Sequence, residues 1–250
     1  DTAIDLTGVS FTDGIEFEFD LGSIRYLAPR ERVLIVANRD AFELRYANLT
    51  SRVRVAGEYR QNLSNDGETI TLSAADGSVI RSFTYNDKNP WSELADGDGF
   101  SLVLRNPLRN PDHSNPLNWR ASAISGGAPG GDDSSEFRAG SDDFLQYAIA
   151  APGSVARLPD MEIRASSPGT HQGGGDFLAF SYTRNRLADD VEYTVQQSSN
   201  LRDWFLGTTD TLDLIQRIEN ADGTDTLSFR VRQEVRNTPQ LYLRLAVERR

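Results

Sequence analysis

The chain has 250 residues, no Cys, 26 Lys plus Arg against 37 Asp plus Glu, and a net charge of −11. The missing thiols exclude disulfides, thiolate metal sites and cysteine nucleophiles, and the acidic balance argues against a protein that binds nucleic acid through its phosphates. The longest apolar run, Val33 to Ala37, is far too short to insert in a membrane, so the chain reads as soluble, with enough apolar residues for one large domain or two ordinary ones. Its start at Asp1, with neither Met nor an apolar leader, reads as a trimmed piece of something longer or a mature product.

Ile4 to Phe11 alternates apolar and polar side chains and Glu16 to Phe19 repeats the pattern, which predicts strands. Val33 to Ala37 is the kind of run found in a strand buried on both faces. Arg39 to Tyr46 has apolar residues three or four apart and an Asp near its start, the mark of a short helix. Thr69 to Leu72 and Val79 to Tyr85 flank Ala75-Asp76-Gly77-Ser78, where Asp-Gly supplies the positive φ of a tight hairpin.

After Gly126 to Gly131, residues 132–143 carry five acids against Arg138 alone and read as a solvated acidic Gly/Ser linker that buries almost nothing. Asp142 to Ile149 has helical spacing again. Phe177 to Arg184, Val191 to Ser198, Ile215 to Glu219, Thr224 to Val231 and Leu241 to Val247 alternate as strands, the third and fourth forming a hairpin around Asn220-Ala221-Asp222-Gly223. They suffice for a small β-sandwich closing on its own core. The expectation is an all-β chain of two β-sandwich domains, residues 1–131 and 144–250, joined by the linker 132–143.

Little in the chain points to chemistry. Asp96-Gly97-Asp98-Gly99 sets two carboxylates two residues apart, a weak candidate for a hard cation such as calcium, but Asp-Gly repeats also make tight turns, and that is the preferred reading. Asn65-Asp66-Gly67-Glu68 carries the same ambiguity, and Ala139 to Asp143 is too short for a twelve-residue calcium loop. A serine hydrolase needs an imidazole base; His113 and His171 both fall in turn-rich or Gly/Ser-rich loops and read as exposed loop histidines. Gly173-Gly174-Gly175 lacks the Lys-Ser/Thr and the following helix of a phosphate cradle. Trp91, Trp119 and Trp204 remain as ligand-binding candidates, because β-sandwich sugar-binding modules stack rings on exposed aromatics; for Trp91 and Trp119 a core or loop-anchoring role is preferred.

Taken in order, Ile4-Asp5-Leu6-Thr7-Gly8-Val9, Tyr26-Leu27-Ala28-Pro29, Leu63 to Glu68, Asp76-Gly77, Pro90-Trp91, Asp96 to Leu102, Asn118-Trp119-Arg120-Ala121-Ser122 and Gly127-Ala128-Pro129-Gly130 resemble a bacterial lamin-tail domain. The resemblance implies an immunoglobulin-like sandwich over residues 1–131, here without the opening strands usual in the family, and a non-catalytic interaction or spacer role in a bacterial protein that is extracellular or on the cell surface. Asp142 to Ala148, Phe177 to Arg184, Tyr193 to Trp204 and Leu241 to Leu245 resemble a C-terminal module of large secreted bacterial proteins. The expected function is therefore an interaction or structural module, not an enzyme, without a cofactor beyond the weak calcium possibility. Its expected partners are other domains of the parent chain or cell-envelope proteins and glycans. The alternative is a carbohydrate-binding module that targets an attached hydrolase.

Overall fold

The computed structural model describes residues 2–49, 52–140, 143–151, 153–165, 176–208, 210–233 and 240–250. The chain divides into two compact units, Asp1–Asp133 and Ser134–Arg250, and both are built mostly of antiparallel strands. Among the described residues no helix is long and apolar enough to cross a membrane.

The N-terminal unit contains β1 (Ile4–Asp5), β2 (Ser10–Asp13), β3 (Phe17–Glu18), β4 (Tyr26–Leu27), β5 (Leu34–Val36), helix α1 (Arg39–Arg45), β6 (Val55–Glu58), β7 (Gly67–Ser73), β8 (Val79–Asn86), β9 (Leu102–Leu104) and β10 (Trp119–Ala121). Its main sheet has the order β3-β2-β7-β8, with β1-β4, β9-β10 and the parallel pair β5-β6 beside it. Leu6, Val9, Phe17, Phe19, Ile24 and Ala56 form one buried core.

Two sequence expectations are corrected here. Ile4 to Phe11 is not one strand: Asp5 Oδ1 accepts bonds from the Thr7 amide (2.9 Å) and hydroxyl (2.7 Å), and Gly8 takes φ +72°, so a turn separates β1 from β2. Val33 to Ala37 is not buried on both faces: of β5 only Val36 is buried, and Leu34 and Ile35, whose side chains point to opposite faces, both stay half-buried. Helix α1 begins where Asn38 Oδ1 accepts from the Ala41 amide (2.7 Å), and Phe42 packs on Tyr46 one turn later.

The C-terminal unit contains helix α2 (Phe144–Ile149) and strands β11 (Asp160–Ala165), β12 (Asp176–Asn185), β13 (Val191–Ser198), β14 (Phe205–Leu206), β15 (Leu212–Glu219), β16 (Thr224–Val231) and β17 (Tyr242–Arg249). One sheet runs β11-β12-β16-β15 and the other β14-β13-β17. They meet in sandwich-like fashion at Tyr182 of β12, whose ring stacks on Tyr193 of β13 at 6.1 Å and on Phe229 of β16 at 5.9 Å. Asp143 caps α2 by accepting from the Gln146 amide (2.8 Å), and Ala148 and Ile149 bury against Ala188 and Val191. Asp142, expected within this helix, lies outside the described residues.

The stretch read as a solvated linker is tied down in part: Asp133, Ser135 and Phe137 are half-buried, while Asp132, Glu136 and residues 138–140 are exposed. Asp133 accepts from Arg120 Nη2 (2.7 Å) and the Ala123 amide (2.7 Å), and Arg120 is fully buried. Ser135 bonds Leu187 O (2.9 Å), and Phe137 packs edge-on to Phe144 at 5.2 Å. A buried guanidinium needs an anion and an exposed ring seeks cover, so Asp133 and Phe137 turn inward while Asp132, Glu136 and Asp143 stay exposed.

Two hairpin glycines provide a test. Gly67 has φ +97° and a Cβ there would lie 2.5 Å from Tyr85 O and 2.7 Å from Asn86 Cα, both backbone, whereas Gly77 has φ +82° with nothing within 4 Å. Gly77→Ala is expected to cost about 1 kcal/mol from backbone strain alone. Gly67→Ala, which must also displace a neighbouring strand, is expected to cost about 3 kcal/mol or more. Urea unfolding midpoints of the two variants check the order.

Candidate functional site

The register of the C-terminal sheet places charge where apolar alternation would have continued. Asp225, Leu227, Phe229 and Val231 share one face of β16, opposite Arg184, Tyr182 and Phe180 of β12. On β15 the register shifts between Leu214 and Gln216. Unbroken alternation from Leu212 and Leu214 would have carried Gln216 and Ile218 inward; the bulge turns Arg217 and Glu219 inward instead and leaves Ile218 45% exposed.

Four buried charges converge as a result. Asp225, with no exposed surface, accepts from Arg217 Nη2 (2.8 Å), Arg186 Nε (2.8 Å) and Arg184 Nε and Nη2 (3.3 Å each). Glu219 Oε1 lies 3.4 Å from Arg217, and Arg186 Nη2 also donates to Asn220 O (2.9 Å) and Thr224 O (3.0 Å). Burial alone would raise the Asp225 carboxyl, but the charges of Arg217 and Arg184 and the hydrogen bond from Arg186 override it and hold the pKa at about 2. Burial conversely pulls the Arg217 guanidinium below its ordinary value, against the opposing pull of Asp225. This cluster was not singled out from the sequence. The signal that could have found it is an Asp standing in the apolar register of a strand.

Close by, α2 and residues 134–138 border a groove of about 860 Å³ whose lining includes Ser135, Glu136, Arg138, Gln146, Tyr147 and Asn185. The Tyr147 hydroxyl donates to Asp190 Oδ1 (2.6 Å), and Asp190 Oδ2 accepts from the Phe137 amide (3.2 Å). Burial, then the bond to Asp190, push the Tyr147 phenol well above its ordinary value. It stays protonated and serves as a tie between α2 and the strand turn at Asp190.

The residues expected to carry function fall into different surroundings. Trp91 and Trp119 are buried, their rings 6.0 Å apart; Trp119 also stacks on Phe83 at 5.4 Å and donates its Nε1 proton to His113 O (2.8 Å). Neither offers a ring face to a ligand, because Phe83 on β8 and the loop before β10 close over them. His113, expected in an exposed loop, is half-buried against Phe83 at 5.2 Å, with Nδ1 2.8 Å from Pro111 O. Trp204 is half-buried, and the Arg244 guanidinium, held by Gln196 Oε1 (2.7 Å), lies 4.2 Å above its ring. Asp96 and Asp98 are exposed, separated by Gly97 at φ +90°, and no three His, Asp or Glu gather as a metal site among the described residues. His171 and Gly173 to Gly175 lie outside the described residues. No known protein family, curated relative or solved structure matches this chain.

Removing one member of the buried cluster tests its weight. Asp225→Asn leaves guanidiniums buried without their central carboxylate and is expected to destabilise by about 3–5 kcal/mol, read by denaturant unfolding. The same carboxylate predicts an acid dependence. Folded Asp225 keeps its charge down to about pH 2, while the unfolded carboxyl takes its proton near the ordinary 3.8. Its contribution, about 2 kcal/mol, is complete above the unfolded value and vanishes as the pH falls from about 4 to 2. Melting temperatures across that window should fall for the wild type and lose this component in Asp225→Asn.

Proposed function

We propose that the chain is a non-catalytic interaction or structural module of a larger secreted or cell-surface bacterial protein. In this reading residues 1–131 form a lamin-tail-type, immunoglobulin-like sandwich and residues 144–250 a small terminal β-sandwich, joined by the acidic stretch between them. The observation that carries it is the employment of the chemically capable side chains. The guanidiniums around Asp225 tie strands of one sheet together, and the Arg120–Asp133 pair and the Trp91–Trp119 cluster tie loops to the strand Trp119–Ala121.

The carbohydrate-binding alternative rests on Trp204 alone, with exposed Phe205 and Leu206 beside it. Binding of the full chain to bacterial envelope fractions, with and without periodate oxidation of their glycans, separates the readings. The interaction-module reading expects retention by envelope protein that survives both periodate and Trp204→Ala. Retention lost on either treatment and competed by free sugar would establish the alternative, and failure to bind any fraction would count against both.

A further inference from the structure

β11 carries the apolar face of its sheet beyond the part that is covered. Met161 pairs with Phe180 and Ile163 with Leu178, so both share the face on which Phe180 and Phe229 are buried, yet Met161 is 51% and Ile163 62% exposed. One edge of β11 is bonded to β12; the other takes no strand among the described residues. The opposite face is charged, with half-buried Arg164 paired to exposed Glu162 two residues away.

The charges are palindromic about Ile163. An antiparallel second copy, crossing on a two-fold axis at that residue, sets Ile163 against Ile163 and each Glu162 opposite the Arg164 of the other copy. Directly opposed residues bring their Cβ atoms to roughly 4.5–5.5 Å, within reach of an ion pair. Moving the axis to Glu162 also makes two opposite-charge pairs, Asp160 with Arg164, but opposes the Glu162 carboxylate to itself between them, and moving it to Met161 opposes Asp160 to Glu162 twice, so of the three the Ile163 axis alone sets no like charges together. Of the other edges, β17 repeats the charge pattern, with Arg244 and Glu248 symmetric about Ala246, but its apolar side chains are covered: Leu243 is buried, and Leu245 and Val247 pack against Ile149 and Val191. β15 carries its bulge, β14 is two residues long, and β8 has Arg81 as its one charged residue.

We propose that two copies of this chain associate through β11, antiparallel about Ile163, so that the sheet β11-β12-β16-β15 continues across a two-fold axis. The inference goes beyond the interaction-module reading and holds whichever foreign partner the chain meets. A six-residue edge offers less than the roughly 800 Å² per partner of a standard interface. The dimer is therefore weak and forms where copies are concentrated.

Sedimentation velocity on the full chain up to about 1 mM reads the association directly. Glu162→Arg and Arg164→Glu each oppose like charges and are expected to weaken it about tenfold or more. The double variant E162R/R164E restores the palindrome with its signs exchanged and recovers the dimer. Far-UV circular dichroism, expected unchanged in all three because neither side chain is buried, separates lost pairing from lost fold. A wild-type chain monomeric throughout, a dimer indifferent to either single reversal, or a double variant as impaired as the singles overturns the proposal.

Discussion

A carboxylate withdrawn from water among three guanidiniums sets the terms on which the C-terminal sheet assembles. Arg184, Asp225 and Arg217 come from three adjacent strands, and Arg186 from the turn that follows β12. Taking each ion out of water costs several kcal/mol, and the mutual attraction repays that cost only in the right geometry. A slip of one residue of β15 along β16 would turn Arg217 and Glu219 to the outer face and leave Asp225 with Arg184 and Arg186 alone. The cluster is thus a weak source of net stability and a strong discriminator between registers.

The N-terminal unit uses the same logic on a smaller scale. Arg120 sits on the two-stranded pair β9-β10 with no exposed surface, and its carboxylate arrives from Asp133, at the end of the unit. Neighbouring Trp119 contributes the apolar half of the arrangement, stacked on Phe83 and close to Trp91. Charge and aromatic surface therefore meet on successive residues of one short strand, one pointing to an ion partner and the next to a ring cluster.

Much of the local structure was legible because its causes are local. The Asp-Gly hairpins, the two short helices and the long alternating strands of the C-terminal unit follow from positive φ, apolar residues three or four apart and a two-residue period. What was missed depends on partners distant in the chain. Composition makes Asp133 look solvated, and only the fold brings Arg120 to it. The bulge in β15 is a one-residue event inside a polar-apolar mixture, so Arg217 and Glu219 show no sequence sign of turning inward. β11 did alternate, Met161 and Ile163 against Glu162 and Arg164, but a strand with one apolar pair makes a weak signal beside a Gly/Ser-rich stretch. For the candidate site, the aromatic residues were legible as residues and not as a cluster, since Trp91 and Trp119 meet through long-range pairing.

The placement of the tryptophans has a spectroscopic consequence. Trp91 and Trp119 belong to the N-terminal unit and sit in a dry aromatic cluster, while Trp204 belongs to the C-terminal unit and lies half in water beneath a guanidinium. Blue-shifted emission thus arises from one unit and red-shifted emission from the other. The intrinsic fluorescence of the unlabelled chain is divided by wavelength between its two halves, so a single melt distinguishes concerted from stepwise loss of structure.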